Sequence, residues 1–218
     1  MTRADWIAAD WPAPDSVFAG TTLRSGDLAD LDLDGRPCWL EQVHGADIVT
    51  ATDYSKPPRA DGSVSKNSSH VCVVRTADCL PVLFCTADGS TVAAAHAGWR
   101  GLAAGVIENA VAKLGAAGDE VMAWLGPAIS QPSFEVGGEV REAFVAQDSR
   151  AEACFERNSS GRWQADLYGL ARQRLDSVGV GRVYGGGFCT RLDEKRFYSY
   201  RRNPDCGRMV SFVSIMKP

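Results

Sequence analysis

The apolar and polar positions sort this chain into short β-type runs up to about residue 97 and helical stretches beyond it. Residues 71–74 and 82–85 are apolar and rich in β-branched types, and they flank Ala77-Asp78-Cys79-Leu80-Pro81, which reads as a turn. A third run, 91–95, delivers His96 into Ala97-Gly98-Trp99-Arg100-Gly101. After Gly101, Leu102, Val106, Ile107, Ala110, Val111 and Leu114 recur at helical spacing, with Glu108, Asn109 and Lys113 on the other face. This predicts one amphipathic helix ended by Gly115 and Gly118. Residues 121–125 form an apolar strand pattern that stops at Gly126-Pro127. Val136, Val140, Ala143 and Phe144 predict a second helix. A third starts with Asp166 as N-cap and carries Leu167, Leu170, Ala171, Leu175 and Val178 to Gly179. Residues 208–215 read as a closing strand.

The first 70 residues are less regular. Residues 1–16 read as a surface wrap, 17–23 as a strand and 25–35 as an Asp-rich turn region. Between 38 and 49 the side chains alternate, which predicts a strand with Gln42 and His44 on one face and a bend at Gly45. Residues 52–69 are rich in Pro, Ser, Lys and Asp and read as a long loop holding Ala60-Asp61-Gly62, either a substrate loop or a plain solvated one. Residues 150–164 are polar and patternless. Strands and helices intermix without a regular βαβ beat. The expectation is α+β, a layered sandwich of mixed sheets covered by helices, in a single domain over 1–218.

Composition narrows the function classes. The chain is 45% hydrophobic, enough for a sizeable core, and its net charge of −4 offers no basic field for nucleic acid or an anionic membrane. No apolar run is long enough to span a bilayer, and the N-terminus lacks the apolar segment of a secretory signal. Seven scattered cysteines without a Cys-x-x-Cys pair fit reduced thiols in a cytoplasmic protein. Oligomeric state stays open between monomer and homodimer.

Three histidines exist: His44, His70 and His96. His44, Cys79 and His96 each fall at the end of a strand-like run and together supply the three protein ligands of a catalytic metal, with a fourth position open. Imidazole and thiolate donors suit Zn²⁺ or a copper ion. A buried thiol or a core histidine is the commoner reading of either residue alone; the three together reverse it. His70, beside Asn67-Ser68-Ser69, reads as a surface residue. Gly98-Trp99-Arg100-Gly101 opens the best helix, so its free N–H groups and Arg100 form a candidate anion site, against a plain core Trp99 and surface Arg100. Arg201 and Arg202, with Tyr198 and Tyr200, are a weaker candidate of the same kind.

The motifs Gln42-Val43-His44-Gly45, Thr76-Ala77-Asp78-Cys79-Leu80-Pro81, Ala95-His96-Ala97-Gly98-Trp99-Arg100-Gly101, Gly126-Pro127-Ala128 and Phe134-Glu135-Val136-Gly137-Gly138-Glu139-Val140 resemble those of the YfiH family. So does the tail from Cys189-Thr190 through Phe197-Tyr198-Ser199-Tyr200-Arg201-Arg202 to Gly207-Arg208-Met209-Val210. That family was long labelled laccase-like or multicopper polyphenol oxidase, and its members are described as purine nucleoside enzymes. The resemblance implies a zinc held by His44, Cys79 and His96. The implied activities are phosphorolysis of adenosine, inosine, guanosine and S-methyl-5′-thioadenosine, and deamination of adenosine. Gln42, Asp61, Arg100 and Arg201 are the sequence candidates for substrate or phosphate, and Asp61, Asp78 and Glu135 those for proton transfer. The N-terminal segment departs from the pattern, reading Thr21-Thr22-Leu23-Arg24 where relatives carry Thr-Thr-Arg. A multicopper oxidase centre needs far more than three histidines. Two other classes remain: a thiol hydrolase or deamidase with Cys79 as nucleophile and His96 as base, which has no use for His44, and a non-catalytic metal-binding protein.

Overall fold

A computed structural model describes residues 5–217. Its first half carries strands β1 (Trp6–Ala8), β2 (Val17–Thr22), β3 (Arg36–Cys38), β4 (Ile48–Thr50), β5 (Gly62–Ser65), β6 (His70–Thr76), β7 (Leu80–Thr86) and β8 (Val92–Ala97). Helices α1 (Trp99–Ala103) and α2 (Val106–Leu114) follow, then β9 (Val121–Leu125), β10 (Glu135–Val136) and α3 (Gly138–Val145). The chain ends with β11 (Phe155–Arg157), β12 (Trp163–Ala165), α4 (Leu167–Ser177), β13 (Arg182–Gly185) and β14 (Met209–Ile215).

The layers follow from the period of two along the central strands. In β7, Leu80, Val82 and Phe84 face α2 and α4, while Leu83 and Cys85 face a second sheet. Strand β9 divides in the same way, with Val121, Ala123 and Leu125 toward the helices and Met122 and Trp124 away from them. Strands buried on both faces read as continuous apolar runs, which is why 82–85 and 121–125 stand out in the sequence. The central sheet has the order β13-β9-β7-β8-β5-β4 and packs against a five-stranded sheet ordered β1-β2-β14-β6-β3. A small sheet, β10-β12-β11, stands to the side. The architecture is the expected mixed α/β sandwich. Among the described residues, no helix is long and apolar enough to cross a membrane.

Four sequence expectations change. The segment 39–45 is not a strand: β3 ends at Cys38 and β4 begins at Ile48, with a single bridge from Glu41 to Arg59 between them. The 52–69 loop contains β5, a fully buried strand pairing β8, because Gly62 lets the backbone approach where a Cβ would meet the Ala94 oxygen at 2.6 Å. The helix after Gly98 is two helices. Gly105 at φ 93 breaks the helix between α1 and α2, while Leu102, Val106, Ile107, Ala110, Val111 and Leu114 are buried on both sides of the break. The patternless 150–164 stretch holds the β11–β12 hairpin. Two further points concern single segments. In the surface wrap, residues 1–4 lie outside the described residues, and β1 pairs β2. His70 starts β6, with its side chain only 12% exposed and Nε2 3.3 Å from Asp53.

Candidate metal centre and arginine-lined cavity

The site is assembled where the chain crosses between the two large sheets. Strand β6 belongs to one and β7 to the other, and the three residues joining them are Ala77, Asp78 and Cys79. Asp78 sits in the left-handed region at φ 88, a conformation Asp tolerates better than most residues. Its surroundings hold it there. The carboxylate accepts from Thr190 Oγ1 at 2.6 Å, Ser199 Oγ at 3.1 Å and the Arg201 N–H at 2.7 Å, while the Asp78 carbonyl accepts from Ile129 N–H at 2.9 Å. The turn so fixed aims Cys79 at His96.

His96 is buried near the end of β8, and its backbone N–H donates to the Asp61 carbonyl at 2.6 Å. Asp61 is wholly buried, and its Oδ1 lies 2.7 Å from His96 Nδ1. A carboxylate accepts, so Nδ1 carries the proton and Nε2 is left to ligate. The same carboxylate accepts three consecutive backbone N–H groups, from Val43 at 3.1 Å, His44 at 2.9 Å and Gly45 at 2.7 Å. His44 is held by this nest at φ 59. One buried carboxylate therefore sets the ring of His96 and the backbone of His44. Gln42 anchors the segment from the other side: its Nε2 donates to the Arg75 carbonyl at 2.9 Å and its Oε1 accepts from the Arg75 N–H at 2.8 Å. The amide replaces one rung of the β ladder where β3 has left β6.

Candidate ligand atoms of His44, Cys79 and His96 all lie within 4.8 Å of one another. Gly98 closes the group: a Cβ there would stand 3.0 Å from Cys79 Sγ and 3.3 Å from His44 Cδ2. Burial raises the pKa of a thiol, yet the imidazoles of His44 and His96 outweigh burial and bring Cys79 down to about 6. Burial alone would lower His96, but Asp61 and Cys79 hold it up at about 9. Asp61 is lowered against its own burial by His96 and the backbone amides. Two imidazole nitrogens and a readily ionised thiolate, one imidazole oriented by a carboxylate, fit a borderline-soft divalent ion with an open position.

His44, Cys79 and His96 line a cavity of about 1220 Å³. Its walls carry Arg75, Arg100, Arg162, Arg201 and Arg208, with Trp99, Phe134 and Tyr200 among them. Of the residues singled out in the sequence, Arg100, Arg201, Gln42, Asp78 and Glu135 also border the cavity. The side chains of Gln42 and Asp78 are engaged by protein as described, and Glu135 bonds Arg162 and Asn158. Asp61 lies beneath the site rather than in its wall. Arg202 turns inward to the carbonyls of Thr190, Arg191 and Phe197, so of the Arg201–Arg202 pair only the first borders the cavity. The helix-start anion site is not formed as expected: α1 has five residues, and the longer α2 begins only after Gly105. A short helix sums too few peptide dipoles to act as the macrodipole inferred from the pattern. Sequence reasoning missed Arg75, Arg162, Arg208 and Glu139. Glu139 and Arg208 had a signal, their places in the Phe134 to Val140 motif and in the Gly207-Arg208-Met209-Val210 tail.

A family model described as multi-copper polyphenol oxidoreductase laccase matches residues 24–216. A purine nucleoside phosphorylase of Pseudomonas aeruginosa is 48% identical over 236 aligned residues, covering 95% of this chain and 97% of that protein. The purine nucleoside phosphorylase YfiH of Escherichia coli is 52% identical over 187 residues, 85% of this chain and 76% of that one. The crystal structure of a Neisseria meningitidis protein superposes with a TM-score of 0.92 at 40% identity, covering 98% of this chain and 100% of the other. The likeness spans the strands that carry the His and Cys motifs as well as the helices behind them, and the chain belongs to the YfiH family.

Proposed function

We propose that this protein is a zinc-dependent purine nucleoside enzyme. It cleaves adenosine, inosine, guanosine and S-methyl-5′-thioadenosine with phosphate, giving the base and the (methylthio)ribose-1-phosphate, and it deaminates adenosine to inosine. The carrying observation is the convergence of His44, Cys79 and His96 at a cavity walled by five arginines. The names of the Pseudomonas and Escherichia relatives support the substrate class.

Zinc at His44, Cys79 and His96 supplies Lewis acidity at an open position. The chain's own residues do the rest. Arg100 has no carboxylate partner among the described residues, and its guanidinium is stacked 4.5 Å from the Trp99 ring centroid, which leaves its N–H fork for phosphate. Arg201 is steadied by the Glu135 carbonyl at 2.9 Å and lies over Phe134. In phosphorolysis a phosphate oxygen forms the bond to C1′ as the bond from C1′ to the purine nitrogen breaks, and the departing base takes up a proton. Guanidinium groups that hold the phosphate close to C1′ make that displacement effectively unimolecular. Tyr200, half exposed in the cavity wall, offers a flat face to a purine ring.

A thiol hydrolase is the second reading, and one observation favours it: without metal, Cys79 and His96 form a thiolate beside an imidazolium. His44 has no role in such a dyad. Product chromatography of zinc-loaded protein with adenosine, with and without phosphate, separates the readings. Adenine and ribose-1-phosphate are expected only with phosphate, and inosine in either case. Cys79→Ala is expected to lose zinc and both activities while keeping its fold. Retention of zinc at full stoichiometry in that variant would remove the metal centre from the explanation.

A further inference from the structure

Four carboxylates border the cavity, and three of them are already occupied. Glu41 lies 3.6 Å from Arg59 on the exposed rim. Asp78 has its oxygens filled by Thr190, Ser199 and the Arg201 amide. Glu135 divides its oxygens between Arg162 at 3.3 Å and Asn158 at 2.7 Å. The fourth is Glu139, which has neither a hydrogen bond nor an ion pair among the described residues.

Glu139 lies in the first turn of α3, and the residue before that helix gives its carboxylate room. Gly137 is the N-cap, and the carboxylate folds back over it so closely that a Cβ on Gly137 would stand 2.7 Å from Oε1. The rest of the wall is rich in donors, with five guanidinium groups and few open acceptors. Phosphate uses donors and is repelled by a carboxylate. A ribose ring is the complementary case: its neutral 2′ and 3′ hydroxyls present two adjacent O–H donors, and a carboxylate has two oxygens to accept them.

We propose that Glu139 is the residue that accepts the ribose 2′ and 3′ hydroxyls and makes the enzyme select ribonucleosides over deoxyribonucleosides. The assignment rests on the nucleoside reading above and deepens it. Glu139 is exposed to the cavity, so it is the bound ribose that would take its carboxylate out of water, and an analogue lacking a hydroxyl would then leave an acceptor oxygen unmatched. Gly137 belongs to the same device, since any side chain there displaces the carboxylate.

The test is a substrate-by-variant cycle on zinc-loaded protein. The kcat/KM for adenosine, 2′-deoxyadenosine and 3′-deoxyadenosine is measured for the wild type, Glu139→Gln and Gly137→Ala, with zinc content recorded for each. Glu139→Gln is expected to lower kcat/KM for adenosine about 100-fold. Each deoxynucleoside, which keeps one of the two hydroxyls, should fall by only about 10-fold, and zinc content and the KM for phosphate should stay unchanged. Gly137→Ala, which keeps the carboxylate but moves it, should lower the adenosine value by about 10-fold with the same bias. Equal losses on all three substrates, or an unchanged adenosine value in Glu139→Gln, would overturn the assignment while leaving the nucleoside enzyme intact. Absence of turnover of any nucleoside by the wild type would overturn the nucleoside reading, and this assignment with it.

Discussion

Cys79 and Cys72 are seven residues apart and chemically opposite, Cys72 buried and Cys79 only partly so. Cys72 lies in β6 between the two large sheets, where burial pushes its thiol up to about 12. Cys79 lies just past the end of that strand in the cavity wall, where two imidazoles overcome its desolvation and bring it to about 6. Burial alone makes a thiol inert; burial beside paired imidazoles makes it a thiolate ready to ligate. The sheet interior gives Cys72 no charged partner, only the Ser63 hydroxyl and a carbonyl, whereas the ends of the central strands gather groups from three separate segments. Cys85, also in the apolar interior and pushed to about 12, sides with Cys72.

Thiol reactivity should show the widest gap. In chelator-treated protein at pH 7, Cys79 should be mostly thiolate and Cys72 almost wholly thiol. Because the Cys79 value lies below its ordinary 9.0, its alkylation should rise as pH climbs through about 6 and level off well before 9. Peptide mapping after brief iodoacetamide treatment should find Cys79 modified and Cys72 untouched until the protein unfolds. Modification of both at equal rates would erase the distinction.

Asp61→Asn breaks the contrast at its source. An amide accepts fewer of the Val43, His44 and Gly45 N–H groups and does not hold the His96 proton as a carboxylate does. Zinc affinity is expected to fall about 10- to 100-fold. Competition with a chromophoric chelator measures this directly, and unchanged affinity would show that Asp61 does not support the ligands.

Gly98→Ala is a gentler perturbation. Its Cβ presses on Cys79 Sγ from 3.0 Å, so one ligand is displaced by a few tenths of an ångström and zinc affinity should drop by about 10-fold, read by the same titration. Cys72→Ala should do least to the site. It leaves zinc binding and turnover at wild-type levels and destabilises the fold by about 1 kcal/mol through the small cavity it opens, measurable by urea denaturation. Loss of zinc in that variant would contradict the separation of the two thiols.

The residues most legible in sequence were those whose role is local. The runs 82–85 and 121–125 announce central strands because two buried faces demand apolar residues at every position, and His96 was correctly read as delivered by a strand. The position of His44 was not legible. Alternation from 38 to 49 resembles a strand, yet Asp61, distant in sequence, captures three of its N–H groups and turns the backbone to φ 59. Arg162 carried no signal because an arginine on a hairpin reads as solvated charge until the fold closes a cavity around it.

Periodicity by itself determined the kind of fold, a mixed α/β sandwich, and residue chemistry by itself determined which donors exist to hold a metal. Both depend on short-range properties: the twofold and 3.6-fold spacing of apolar side chains, and the donor atoms of three residues. Tertiary structure decided which carboxylates stand beneath the site and which remains open to the cavity, and which thiol becomes acidic. Those outcomes depend on burial and on hydrogen-bond partners up to 123 residues away, as in the Asp78 to Arg201 contact, and no local pattern encodes such pairings.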